Sequence, residues 1–173
     1  MKKLTFIGIG NVGFALANKL QAHGYMIVVA HNDPGNSTSV KDALSKNSNF
    51  QIMPVQQAVE EAEVIFLATP FQIIDKVLTG IKFNGKTLVD YTNPVGLDER
   101  GLKHGLDSKI SGAETIQQIV PDAKVVKAFT IYGFENFIDA NFPKYNVKPA
   151  MLIASNYAEA KKEIKPIINC CRL

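Results

Sequence analysis

A glycine-rich turn close to the N-terminus is the feature that most constrains how this chain can fold. Residues 8–13, Gly-Ile-Gly-Asn-Val-Gly, match the pattern G-x-G-x-x-G. A short β-favouring run at residues 4–7 precedes the turn, apolar residues at helical spacing follow it, and a second apolar run begins about 15 residues later. In this strand–turn–helix context the pattern predicts a dinucleotide-binding βαβ unit.

Each glycine of the turn has a predicted part in holding a pyrophosphate. Gly8 permits the tight turn, Gly10 lets the backbone approach the ligand, and Gly13 lets the following helix pack closely on the strand. Ile9, Asn11 and Val12 complete the turn, and the start of the helix offers free N–H groups and about half a positive charge to phosphates.

Strand-like and helix-like segments alternate along most of the chain, which favours an α/β fold. The apolar runs are continuous rather than alternating, as expected for a parallel sheet that is covered by helices on both faces. We therefore predict a doubly wound, mostly parallel, Rossmann-like sheet within one domain at residues 1–173. The predicted strands span residues 4–7, 27–30, 50–52, 64–68, 87–91, 125–129 and 150–154.

Several local patterns predict where helices and loops lie. Pro54 suits the first turn of a helix, and Ser111 with Glu114 forms a capping box that opens another. Residues 94–110 have no clear period and are predicted to form a long loop. A last helix is predicted to begin near Asn156, with Pro166 limiting or kinking it.

Length and composition exclude several classes of protein. A chain of 173 residues suits one domain of ordinary size, and its net charge of +3 is too small to indicate nucleic-acid binding. No apolar run approaches the ~20 residues that a membrane span requires. The two cysteines, Cys170 and Cys171, are adjacent, and the histidines have no ligand spacing, so we expect a cytoplasmic protein without a metal site.

The end of the second strand bears on which dinucleotide is preferred. An Asp or Glu there would bind the ribose hydroxyl of NAD, whereas an Arg would pair with the 2′-phosphate of NADP. This chain has His31, Asn32 and Asp33. Asp33 either turns toward a ribose or begins the Asp-Pro-Gly turn, while His31 and Asn32 can hold a phosphate as neutral donors. NAD and NADP both stay open on this pattern.

Further segments resemble the deazaflavin-coenzyme-dependent NADP oxidoreductase family over about residues 1–168. They are Leu-Ala-Thr-Pro at 67–70, Asp-Tyr-Thr-Asn-Pro-Val at 90–95, Ser-Gly-Ala-Glu at 111–114 and Val-Val-Lys-Ala-Phe at 125–129. The resemblance implies that residues 9–12 contact the pyrophosphate and that His31 and Asn32 replace the Ser and Arg with which the family commonly holds the 2′-phosphate. It also implies that the ribose and nicotinamide lie beside residues after the fourth and fifth strands and at the sixth, namely Thr69, Pro70, Asn93, Pro94, Lys127 and Ala128.

The function implied by the resemblance is an NAD(P)-dependent oxidoreductase with NADP favoured over NAD. Hydride would pass between the nicotinamide and a flavin or deazaflavin acceptor, chemistry that the cofactors carry and that needs little help from an acid–base pair. The family continues past its last helix into a segment that helps form the second-substrate site and a homodimer. This chain is expected to lack that segment, so the alternative is a dinucleotide-binding sensor or regulatory module without turnover.

Overall fold

The computed structural model of the chain describes residues 2–105, 109–131, 133–138 and 150–171. In this part of the chain the main sheet has six strands, which are β1 (Lys3–Ile7), β2 (Met26–Ala30), β3 (Gln51–Met53), β4 (Val64–Leu67), β5 (Thr87–Asp90) and β8 (Lys124–Lys127). Two further strands, β6 (Val95–Asp98) and β7 (Gly101–His104), form a separate antiparallel hairpin. The helices are α1 (Asn11–Ala22), α2 (Thr38–Lys46), α3 (Val55–Glu61), α4 (Ile74–Leu78), α5 (Gly112–Ile119), α6 (Glu135–Ile138) and α7 (Ala158–Cys170).

The order of the main sheet confirms the predicted fold class. The strands lie in the order β3-β2-β1-β4-β5-β8, and all five neighbouring pairs are parallel. The chain winds outward from β1 in one direction through β2 and β3, then returns to β4 and continues the other way. The reversal falls between β1 and β4, the place where open α/β sheets bind ligands beyond the carboxyl ends of their strands.

Two apolar layers cover the sheet, as the continuous hydrophobic runs predicted. On one face, Leu4 and Phe6 of β1 pack with Leu16 of α1 and Ile164 of α7. The opposite face buries a different set, in which Ile65 and Leu88 pack against α3, α4 and α5. Burying a large apolar side chain contributes roughly 1.5–3 kcal/mol, so these two layers fix the strand ends that carry the candidate site.

The prediction of a long loop at residues 94–110 is wrong for its first half, which forms the β6–β7 hairpin. Val95 pairs with His104 and Asp98 with Gly101 across it. The two strands lie outside the main sheet, and their sequences lack the continuous apolar run from which the strands of that sheet were predicted. Gln72 ties the hairpin to the turn after β4 by donating from Nε2 to the carbonyl of Val95 at 2.6 Å.

The predicted strand at residues 150–154 is also wrong. Only Ala154 pairs with the sheet, in an antiparallel bridge to Lys127. Met151 instead contacts the loop after β8, where its Sδ accepts the N–H of Phe129 at 3.1 Å. An apolar run such as this one fits any segment that packs against a core, and here the partner is α7 and its neighbours rather than a second strand.

The last helix begins at Ala158, close to the predicted start, but it has no side-chain cap. Pro166 does not end it, because α7 continues to Cys170 with the proline inside. No helix in the described ranges has the length and apolar character needed to cross a membrane.

Candidate functional site

A cleft of about 520 Å³ opens beyond the carboxyl ends of the central strands. It lies where the sheet reverses direction, with the glycine turn on one side and the segments after β4 and β5 on the other. Six of the residues predicted to bind the cofactor line it together, namely Gly10, Asn11, Val12, Thr69, Pro70 and Asn93.

Two glycines of the turn are required by the packing of the protein itself. Gly8 has φ +97°, and a Cβ built on it would lie 2.7 Å from the backbone carbonyl of Ala68. A Cβ on Gly13 would lie 2.7 Å from the carbonyl oxygen of Gly8 and 3.1 Å from Cβ of Ala68. These contacts bring β1, α1 and the end of β4 into close approach, as the sequence pattern predicted.

The middle glycine has no such requirement. Gly10 has φ −66°, which any residue adopts, and a Cβ built there would meet nothing within 4 Å. The space beside Gly10 therefore opens into the cleft. Gly10 is also the N-cap of α1, where no side chain caps the helix, so the first N–H groups of α1 are oriented toward this space.

A buried hydroxyl in the cleft wall has no partner among the described residues. Oγ1 of Thr69 is inaccessible and makes no hydrogen bond, while its methyl group would lie 2.8 Å from a Cβ on Gly8. Buried hydroxyls without a partner are uncommon in native proteins, because they lose their hydrogen bonds to water. A dinucleotide with its phosphate and ribose oxygens would supply the missing acceptor, so the residues present fit such a group.

Ile9 differs from the other residues of the turn, since its side chain is buried in the core. Only its backbone can face a ligand, which is the group that a pyrophosphate contact uses.

At the end of β2, three polar side chains are held in defined orientations. Nδ1 of His31 accepts the backbone N–H of Asp33 at 3.0 Å, so the neutral ring carries its proton on Nε2. Oδ1 of Asn32 accepts the N–H of Val55 at 2.9 Å and caps α3, which leaves the amide N–H groups as donors. The Asp33 carboxylate accepts from Asn36 at 2.8 Å within the turn, as the turn interpretation of Asp33 predicted.

Five predicted residues outside the glycine turn do not line this cleft, namely His31 and Asn32 at the end of β2, and Pro94, Lys127 and Ala128. Lys127 directs its amine to Asp90, with Nζ 3.0 Å from Oδ2, and also donates to the carbonyl of Thr92. Ala128 is buried behind it, and Pro94 accepts the N–H of Gly105 at 2.6 Å beneath the hairpin. In this conformation Lys127 and Pro94 shape the loop that carries Asn93.

Ten residues of the cleft wall were not predicted from the sequence, and two of them, Tyr91 and Glu135, have ionisable side chains. Tyr91 ends an apolar strand run and reads as an ordinary core residue, and its side chain is 5% exposed. Its hydroxyl nevertheless has no partner among the described residues. Burial raises the pKa of Tyr91 well above its usual range, with further contributions from Cys171 and Glu135. No pattern in the sequence around Glu135 distinguishes it from other surface carboxylates.

Comparison with known proteins agrees with this geometry. Residues 3–94, more than half of the chain, match the family model described as NADP oxidoreductase, coenzyme F420-dependent. The chain is 28% identical over 130 residues to the metalloreductase STEAP3 of Rattus norvegicus. That alignment covers 75% of this chain and 24% of the metalloreductase, so the chain corresponds to about a quarter of that relative.

Solved structures share the fold at low sequence identity. The hypothetical protein SMa0349 of Sinorhizobium meliloti is 23% identical, with a TM-score of 0.81. The match covers 100% of this chain and 82% of the SMa0349 chain. A candidate F420-dependent NADP reductase of Arthrobacter sp. FB24 is 21% identical, with a TM-score of 0.78. That match covers 99% of this chain and 81% of the reductase chain. The family model, together with the glycine turn and the cleft, shows that this chain belongs to the family of coenzyme F420-dependent NADP oxidoreductases.

Proposed function

We propose that the chain binds NADP(H) in this cleft and transfers hydride between the nicotinamide and a flavin or deazaflavin acceptor. The observation that carries the proposal is the open space beside Gly10. Gly8 and Gly13 are explained by contacts within the protein, but a side chain on Gly10 would collide with nothing. A glycine at such a position is explained by a ligand whose pyrophosphate approaches the backbone closely.

The choice of NADP over NAD is supported by the polar groups at the end of β2. The hydrogen bonds that His31 and Asn32 make within the protein leave their N–H donors for a phosphate, and the Asp33 carboxylate accepts a hydrogen bond from Asn36. Donors suit the oxygens of a 2′-phosphate, whereas the ribose of NAD is best held by a free carboxylate.

The remaining residues hold the nicotinamide half of the cofactor. Thr69 and Asn93 follow neighbouring strands and line one wall, so we assign them to the ribose and the nicotinamide ring. When bound, the nicotinamide supplies the hydride, and the protein positions the ring and excludes water around it. Pro94 and Lys127 act on this half through the loop at residues 91–93 that they support.

Two exposed apolar side chains in the wall of the cleft support a flat acceptor. Five large hydrophobic side chains are exposed in the described part of the chain, and two of them, Val12 and Val95, line the cleft. An exposed apolar group beside a binding cleft is typical of a surface that receives a ring system.

The experiment that tests this function is oxidation of NADPH and NADH by the protein in the presence of riboflavin, FMN, FAD or a deazaflavin. We expect loss of the reduced nicotinamide absorbance with at least one acceptor, and faster loss with NADPH. Binding of NADPH without turnover with any acceptor would contradict the oxidoreductase and support the regulatory alternative. Absence of binding would contradict both.

A further inference from the structure

We propose that the acceptor carries an anionic group at the end of a chain, and that a groove which leads from the cleft along α1 binds this anion. The inference rests on the proposed function, because it adds a chemical class to the acceptor that the cleft would receive. The groove, called the α1 groove below, has a volume of about 520 Å³. Its lining includes Phe14, Asn18, Lys19, Lys46, Phe134 and Phe137.

The α1 groove and the cleft share part of their walls. Asn11, the first residue of α1, and Phe134, directly before α6, line both of them. From Asn11 the groove follows one face of α1 as far as Ala22, with lining residues at the three- and four-residue spacing of a helix surface. A helix rises about 16 Å over such a length. A molecule bound in the cleft can therefore extend along the groove without leaving the protein surface.

The charged groups in the lining of the groove are cations. Lys19 and Lys46 line it, and its lining contains no aspartate or glutamate. Lys19 is half-buried and makes no salt bridge with the described residues. Two ammonium groups without a carboxylate in the same wall create a positive potential, which favours an anionic ligand.

Lys46 is held over the groove by two contacts. Its Nζ lies 5.6 Å from the centroid of the Phe14 ring and 2.7 Å from Oδ2 of Asp42, one turn earlier in α2. An ammonium has three N–H donors, so the contact with Asp42 leaves others for a ligand. Since the carboxylate offsets part of the charge of Lys46, we expect Lys19 to contribute more to the binding of an anion.

Uncharged residues of the groove suit the chain that carries the anion. Oδ1 of Asn18 accepts the amide of Asn47 at 2.8 Å, which leaves the N–H groups of Asn18 as donors. Phe14, Phe134 and Phe137 provide aromatic surface for the C–H groups of the chain. The groove thus combines apolar walls with N–H donors, as expected for a site that orders a chain and binds the oxygens of its terminal anion.

A phosphate could also come from the cofactor. The 2′-phosphate of NADP is assigned above to the end of β2, where His31 and Asn32 have N–H donors. Neither residue lines the α1 groove. We therefore assign the groove to the acceptor, and the experiment below distinguishes the two sources.

The test uses two matched pairs of acceptors. Riboflavin and FMN differ only in the terminal phosphate, and 5-deazariboflavin and its phosphate differ in the same way. Dissociation constants are measured by quenching of acceptor fluorescence in the presence of NADP⁺, for the full chain, Lys19→Met, Lys46→Met and the double variant. Methionine keeps an apolar stem like that of lysine and removes the charge. The control Lys76→Met removes the same charge from α4, outside the cleft and the groove.

We expect the wild-type chain and Lys76→Met to bind the phosphorylated member of at least one pair about tenfold more tightly, the effect of a hydrogen bond between charged groups. The double variant should bind both members alike, and Lys19→Met should lose more of the preference than Lys46→Met. High salt should also reduce the preference, because it screens exposed charges. The proposal is overturned if no pair shows the preference or if the preference survives in the double variant.

Calorimetric titration and turnover separate this proposal from the function on which it rests. If NADPH does not bind, or is oxidised with no acceptor, the proposed function fails and this inference fails with it. If NADPH is oxidised and both members of each pair bind equally well, only the anion site is wrong. A loss of affinity in the double variant for NADPH but not for NADH would assign the groove to the 2′-phosphate of the cofactor and would also overturn the proposal.

Discussion

The amine of Lys127 lies 3.0 Å from the carboxylate of Asp90, across the parallel pair formed by β5 and β8. Asp90 is fully buried, and its other oxygen accepts both the N–H and the hydroxyl of Thr92, at 2.8 and 2.7 Å. Lys127 also donates to the carbonyl of Thr92. The ion pair therefore holds the turn that brings Tyr91 and Asn93 to the cleft.

Replacing Lys127 with Met tests this supporting role. The substitution leaves the Asp90 carboxylate buried without its cation, and breaking a buried pair in this way costs about 3–5 kcal/mol. We expect a matching loss of the free energy of unfolding, measured with urea, and partial recovery in the double variant Lys127→Met with Asp90→Asn. A variant of unchanged stability that loses NADPH affinity would show instead that Lys127 contacts the cofactor, as the sequence analysis predicted.

Replacing Asn32 with Asp should exchange the dinucleotide preference. An aspartate keeps an oxygen to cap α3 at Val55, but it removes the amide donors and places a negative charge where a 2′-phosphate would lie. We expect NADPH to bind about 10- to 100-fold more weakly, as for the loss of a hydrogen bond to a charged group, with NADH affinity kept or raised. An equal loss of affinity for NADPH and NADH would show that the 2′-phosphate does not lie beside Asn32.

Replacing Gly13 with Ala should destabilise the protein, whereas Gly35→Ala should not. A Cβ on Gly13 would lie 2.7 Å from a backbone oxygen, so α1 must shift, and such overpacking costs about 1–3 kcal/mol. A Cβ on Gly35 would make one ordinary contact, at 3.9 Å from Oδ1 of Asp33. Thermal unfolding of the two variants measures the difference, and equal melting temperatures would refute the close approach of the turn to β4.

The capping box of α5 predicts a dependence of stability on pH. Oε2 of Glu114 accepts the N–H of Ser111 at 2.7 Å, and hydrogen bonds from Ser111 lower the pKa of Glu114 below its usual range. Because the folded pKa lies below the unfolded value of about 4.3, this contribution is present above that pH and is lost as pH falls through the folded pKa. The stability difference between wild type and Glu114→Gln should therefore shrink in acid. A difference that grows as pH falls would exclude this role.

The sequence predicted the sheet because its strands are buried on both faces, which leaves continuous apolar runs such as residues 64–68. The same criterion failed at residues 150–154, where apolar side chains pack on a helix face, and at residues 95–104, where the strands lie outside the main sheet. Backbone pairing in both places depends on which neighbour is available, and a local pattern does not contain that information.

The candidate site was predictable where backbone geometry demands a residue type, as at Gly8 and Gly13. Side-chain orientation was not predictable. Lys127 turns to a buried carboxylate on the neighbouring strand, and the Tyr91 hydroxyl, at the end of a strand, has no partner among the described residues. Both outcomes depend on contacts across the sheet between residues far apart in the chain.

The binding of dinucleotides to the wild-type chain and to Gly10→Ala tests the central claim most directly. An alanine fits the backbone at Gly10 and meets no protein atom within 4 Å, so the urea midpoint of this variant should stay close to that of the wild type. By calorimetry we predict that the wild type binds NADPH more tightly than NADH, and that Gly10→Ala binds NADPH at least about tenfold more weakly. A wild-type chain that binds neither dinucleotide, or a Gly10→Ala variant that binds NADPH as tightly as the wild type, would contradict a pyrophosphate site at the glycine turn.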